Sequence, residues 1–246
     1  MGEAQRPIIE IENLVKTYDF LPVLRQLNLS IERGEFVALL GPNGSGKSTL
    51  LRLLAARSRP TAGQIRIGGW VLPDEAQHVR AQIGLVSHKS LMYENLTAAE
   101  NLRFFATLHN LHGAAREQRV AELLEQVGLS RRADHLLRTF SRGMQQRLTI
   151  ARALLHQPHL LLLDEPYTGL DQSAAETLDT LLREAAASGH TILMATHQFY
   201  RATMLASRIV ILSRGRVGYD AAAHQTGDAV ALASVYAETT GMAAAR

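Results

Sequence analysis

Cysteine is absent from the 246-residue chain, which excludes disulfides, thiolate metal sites and cysteine nucleophiles and fits a reducing compartment. Charge of one sign is lacking too. Lys and Arg number 26 against 23 Asp and Glu, a formal net charge of +3, and the arginines are scattered rather than gathered on a basic stretch, so nucleic acid is not an expected partner. No uncharged apolar run reaches the roughly 18 residues of a membrane span. The longest candidate, the four leucines 160–163, is stopped by Asp164. Residues 1–7 read as neither a signal peptide, because no apolar region follows, nor a myristoylation site, because Arg6 stands where Ser or Thr is required. Neither internal repeats nor low-complexity blocks are found. The expectation is a soluble chain in which any membrane role comes through a partner.

What is present is concentrated first in nine residues, Gly41-Pro42-Asn43-Gly44-Ser45-Gly46-Lys47-Ser48-Thr49. They fit the phosphate-binding pattern G-x-x-x-x-G-K-[ST], and their flanks fit as well. A strand-length apolar run, 36–40, precedes them and a run of good helix formers, 50–56, follows. The glycines let the backbone turn tightly and aim N–H groups at phosphate oxygens. The helix start adds its positive dipole end. In such a loop Lys47 reaches the β- and γ-phosphates of a nucleotide such as ATP, and the Ser48 hydroxyl ligates Mg²⁺.

Around this loop, residues 8–40 read as strands with a turn at 32–35, and Tyr18 falls between two strand-like segments. That ring is either a stacking platform for a nucleotide base or an ordinary half-buried tyrosine. Short strands are expected at 64–67 and 83–86, the latter delivering Ser87-His88-Lys89. From Thr97 to about Leu155 the pattern turns helical, with a capping box at Thr97-Ala98-Ala99-Glu100, apolar residues at Leu102, Phe105 and Leu108, and a helix stop at Gly128. A buried strand at 160–163, a helix at 174–187, a strand at 191–196 and a last strand at 208–212 complete the reading. Strands alternating with helices predict a mainly parallel sheet. No motif is legible past Tyr219.

Ligands in such sheets sit beyond the carboxyl ends of the strands. Two carboxylates after four leucines need a cation or water nearby. Asp164 is the candidate metal-side carboxylate, acting through a ligated water, and Glu165 the candidate general base, unless Asp-Glu-Pro only caps the strand. His197, at the tip of another strand, either holds the γ-phosphate and attacking water or is structural. Ser141 and Gly143 open a helix as an anion site that makes sense facing a second copy, or as a routine Ser cap.

Taken together, these residues resemble the ATP-binding subunit of an ABC transporter over about residues 8–219. Residues 41–49 match its Walker A motif, 160–165 its Walker B motif with catalytic glutamate, and Ser141 with Gly143 its signature motif. Gly169-Leu170-Asp171 matches the D-loop, His197 the H-loop, and Tyr18 the adenine-stacking aromatic. The resemblance implies an α/β fold: a P-loop NTPase (RecA-like) core with an antiparallel β-subdomain, about 8–88 and 156–219, an inserted α-helical subdomain, about 89–155, and a tail, 220–246. It implies a Mg²⁺-dependent ATPase on the inner face of the cell membrane, attached to integral membrane permease subunits. Lys47, Glu165 and His197 would be its catalytic residues and Ser48, His88 and Asp164 its Mg²⁺ side. Two copies, expected as a homodimer, would sandwich two ATPs, each phosphate loop facing the other copy's Ser141 and Gly143, with Asp171 a further nucleotide-binding residue.

The chain departs from the family pattern in two places. Its signature reads Phe140-Ser141-Arg142-Gly143-Met144, and His88 stands where a glutamine is usual. That histidine, with residues 93–102, 141–144 and 164–171, is similar to the haem-exporter ATPases of bacterial cytochrome c maturation. Exporters of drugs or polysaccharides share most of these features. A soluble ABC ATPase acting on nucleic acid or ribosomes is the remaining alternative.

Overall fold

The computed structural model describes residues 6–87 and 91–241, so His88 lies outside the described residues. A six-stranded sheet forms the centre: β3 (Phe36–Leu40), β6 (Ile83–Val86), β7 (Leu160–Asp164), β8 (Thr191–Ala195), β9 (Arg208–Ser213) and β10 (Arg216–Ala222), in the order β10-β9-β3-β8-β7-β6. All neighbours are parallel except β10, which runs antiparallel to β9 at the edge. The parallel strands are almost wholly apolar because both faces are covered. Alternate residues go to different cores. Ala38, Leu40, Leu161, Leu163, Ile192 and Met194 join one cluster, and Val37, Leu39, Leu160, Leu162, Leu193 and Ala195 the other.

The second cluster is completed by helix α1 (Lys47–Leu54) and by a four-stranded antiparallel sheet of β1 (Ile9–Tyr18), β2 (Leu21–Ile31), β4 (Ala62–Ile67) and β5 (Trp70–Leu72), in the order β2-β1-β4-β5. A short helix, α2 (Ala76–Ala81), leads from it to β6. Tyr18 is the last residue of β1, not a linker between strands. It pairs with Leu21 across a two-residue turn, Asp19-Phe20, in which both residues have positive φ, the combination that matches the twist of a hairpin.

The first cluster is completed by helices. α3 (Ala98–Leu108) starts at the expected capping box: Thr97 Oγ1 accepts from Glu100 N at 3.1 Å and Glu100 Oε2 from Thr97 N at 2.8 Å. α4 (Gly113–Gln126) ends in a Schellman motif, with Gly128 at φ 65° and Leu129 N donating to Leu124 O. Two 3₁₀ turns lead to α5 (Arg142–Leu154), and α6 (Gln172–Ala187) and α7 (Phe199–Leu205) cover the same side. Leu108 is not core: it stands largely exposed at the end of α3, and Ala106 takes the buried position.

Two expectations for the end of the chain are corrected. The strand at 208–213 is followed by β10, and the stretch past Tyr219 is folded. It forms α8 (Ala223–Thr226) and α9 (Ala229–Thr240), the latter capped by Asp228 Oδ1 accepting from Val230 N and Ala231 N. Its alanines favour a helix once there is a surface to pack on. Leu232 is fully buried and Tyr236 meets Phe199 with ring centroids 5.1 Å apart. Among the described residues no helix is long and apolar enough to cross a membrane.

Candidate active site

The carboxyl ends of β3, β7 and β8 deliver the phosphate loop, Asp164-Glu165 and His197 to one edge of the sheet. At the end of the loop Gly46 holds φ 110°, and a Cβ there would approach Leu24 Cδ2 to 2.6 Å, so only glycine lets the chain pass under β2 into α1. Lys47 is buried, and its ammonium donates to Gly41 O at 2.6 Å and Pro42 O at 3.3 Å. Burial pushes its pKa down, while Glu165 and Asp164 pull it back up. The Ser45 hydroxyl is buried in the same loop with no hydrogen-bond partner among the described residues. An orphaned hydroxyl beside a buried ammonium suits an anion bearing several acceptor oxygens, as a polyphosphate does.

Ser48 Oγ donates to Asp164 Oδ1 at 3.2 Å. These are two hard oxygen donors beside the phosphate loop, the set that Mg²⁺ takes when phosphates and waters complete its octahedron. The residues present therefore fit the expected metal. Glu165 follows immediately, at φ 50°, an uncommon conformation for a non-glycine residue. Its N–H donates to Ala195 O at 2.9 Å, which pins the turn to β8. His197 Nδ1 lies 2.8 Å from Glu165 Oε2. A carboxylate only accepts, so in this contact Nδ1 carries the proton, on a largely exposed ring. Five of the expected residues, Lys47, Ser48, Asp164, Glu165 and His197, thus form one connected group.

The remaining candidates lie apart from that group. Tyr18, on the antiparallel sheet, is 39% exposed, with Lys16 Nζ 4.7 Å from its ring centroid. Ser141 is the N-cap of α5 and accepts from Met144 N at 3.3 Å. Asp171 is the N-cap of α6 and accepts from Ala174 N at 2.8 Å. A Cβ on Gly143 would come within 2.7 Å of Ala174 Cβ, so the starts of α5 and α6 are pressed together. Facing Glu165 across a cleft of about 300 Å³ are Arg142, Gln145 and Gln146 of α5. Sequence reasoning missed these two glutamines and Thr149 of the same cleft. Their recurrence on one helical face was the only available signal.

Comparison with known proteins bears on the family and the fold. A family model described as "ABC transporter" matches residues 24–168. The chain is 38% identical over 215 residues to the Nod factor export ATP-binding protein I of Ralstonia nicotianae, covering 87% of this chain and 67% of that one. It is 35% identical over 211 residues to the linearmycin resistance ATP-binding protein LnrL of Bacillus subtilis, covering 85% and 68%. Among solved structures it is similar to the ATP-binding subunit of an ABC transporter, with TM-score 0.85 and 33% identity over 94% of this chain and 99% of that one. A dimeric ATP-binding cassette in a post-hydrolysis state with ADP and Pi is similar at TM-score 0.80 and 32% identity, over 87% and 98%.

Proposed function

We infer, from the premise that this chain belongs to the ABC transporter family and is an ATPase, that it drives export of a small molecule through separately encoded membrane subunits. The observation that carries the chemistry is the Glu165–His197 contact of 2.8 Å beside the Ser48–Asp164 pair. Lys47 and the loop N–H groups bind the phosphates. Ser48 and Asp164 hold the metal side, where Mg²⁺ supplies positive charge against the phosphate oxygens. Glu165 Oε1 is free of His197 and takes the proton of the attacking water. His197 Nε2 accepts from that water, or donates to a γ-phosphate oxygen when the ring is protonated. Tyr18 stacks on the adenine.

Dimerisation supplies the rest. Ser141 and Gly143 stand at the start of a 13-residue helix, where N–H groups and dipole favour an anion. Facing the γ-phosphate bound by a second copy gives them that anion, and Asp171 lies beside them at the seam. Exposed Leu91, Tyr93 and Phe104 on the helical side are the surface for the permease, and that docking supports a position on the inner face of the membrane.

Relatives named for Nod factor export and linearmycin resistance support an exporter of this general kind. A second reading, haem export in cytochrome c maturation, is favoured by His88 in the glutamine position and by residues 93–102. Detergent pull-down of the tagged chain from its native membranes, with mass spectrometry, separates them. Export predicts a multi-span protein at near-equal amount. Recovery of cytochrome c maturation proteins selects the haem reading, and recovery of soluble partners or ribosomes alone overturns export.

A further inference from the structure

Two residues past Glu165, Tyr167 is buried, and its hydroxyl donates to Asp179 Oδ1 of α6 at 2.6 Å. The same oxygen accepts from Arg201 Nε of α7 at 3.2 Å. Arg201 Nη1 in turn donates to Gln198 Oε1 at 2.6 Å, and Gln198 is the neighbour of His197. The Arg201 guanidinium also lies 4.6 Å from the Tyr167 ring centroid, within cation–π range. Asp179 and Arg201 are nearly enclosed, with side chains 11% and 13% exposed. Burial and Asp179 push the Tyr167 phenol up, so it stays a donor at all physiological pH.

We propose that Tyr167, Asp179, Arg201 and Gln198 are positioning residues, a buried brace that holds the Glu165 turn and the His197 turn in register. The proposal rests on the reading of Glu165 and His197 as the catalytic pair. Each turn is tied to one carboxylate: the Glu165 turn through Tyr167, the His197 turn through Arg201 and Gln198. Without the brace the turns keep three bonds, Glu165 N to Ala195 O, Gln198 N to Thr196 Oγ1 and the Glu165–His197 contact itself, but lose the buried support that fixes their spacing. A displacement of about 1 Å in such a pair costs up to 100-fold in rate. Phosphate and metal binding, built on Lys47, Ser48 and Asp164, is untouched.

The test is a double-mutant cycle on the full chain, measuring MgATP turnover and ATP affinity. Tyr167→Phe keeps the ring and removes the hydroxyl. It is expected to lower kcat about tenfold, with KM and ATP affinity within about twofold. In a His197→Ala background the same change is expected to cost less than about twofold, since the register it maintains no longer matters. Gln198→Ala removes the other strut without touching the core, and the same pattern is expected of it. Should Tyr167→Phe fail to fold, the Gln198→Ala cycle decides. Native kcat in both single variants, or a tenfold loss that persists without His197, overturns the brace. Native turnover in Glu165→Gln and His197→Ala themselves overturns the catalytic pair, and with it the brace.

Discussion

Glu165 combines two demands that single residues seldom meet together. In the proposed role its carboxylate must reach the reacting water, and its backbone turns at φ 50° to leave β7. Glu165→Gln keeps the side-chain length and the turn while removing the base. We expect ATP binding to be unchanged and kcat to fall at least about 100-fold, read by equilibrium nucleotide binding alongside phosphate release. Turnover at the native rate would show that another group takes the proton. At this scale the sequence was informative where chemistry is local. A four-leucine strand ending in two carboxylates announces a cation, and the glycine loop announces phosphate. Asp179 and Arg201 were not legible, because they lie 12 and 34 residues from Tyr167 in the chain and meet it only in space.

Among the elements, the start of α3 has the densest polar construction. Fully buried Asn101 accepts from Tyr93 N at 2.8 Å, and its amide donates to Tyr93 O, Leu96 O and Thr97 O. One side chain therefore shapes the loop that presents Tyr93 to solvent. Asn101→Ala takes the acceptor from the Tyr93 N–H and empties a fully buried polar site, while Tyr93 O, Leu96 O and Thr97 O keep their backbone donors, a cost of about 2 kcal/mol. Calorimetry should show a drop in Tm of about 5 °C. A drop of less than a degree would mean that water replaces the amide. The capping box that starts this helix was readable from Thr97 and Glu100, since both bonds are made within four residues. β10 and α9 were not, because an alanine-rich segment with few large apolar residues gives no periodic signal. Its structure comes from the surface of β9 and α7 on which it packs.

For the whole molecule, stability below neutral pH is set in part by His156. Its ring stacks on His109 at 3.9 Å, its Nε2–H donates to Ile83 O at 3.1 Å, and its Nδ1 is buried without a partner among the described residues. Burial, with the neighbouring His109 adding to it, holds its pKa at about 4, and burial lowers that of His109 as well. The His156 ring is thus neutral in the folded chain near neutral pH, and His109 is biased the same way. An unfolded His156 takes up its proton from about pH 6.5 downward, so its contribution to stability is complete above that value and is lost as pH falls towards 4. For His156 the loss is at most about 3 kcal/mol. Urea unfolding at pH 7.5 and pH 5 should show a fall that His156→Gln reduces. An equal fall in the variant would assign the acid limb to other groups.

The two-faced packing of the central sheet also bears on how such a chain diverges. Odd and even positions of β3, β7 and β8 report to different cores, so a substitution on one face needs no compensating change on the other. The nucleotide side and the helical side are two separately adjustable modules sharing a wall one strand thick. A lineage can therefore refit the helical side while the side built on the phosphate-loop helix drifts hardly at all.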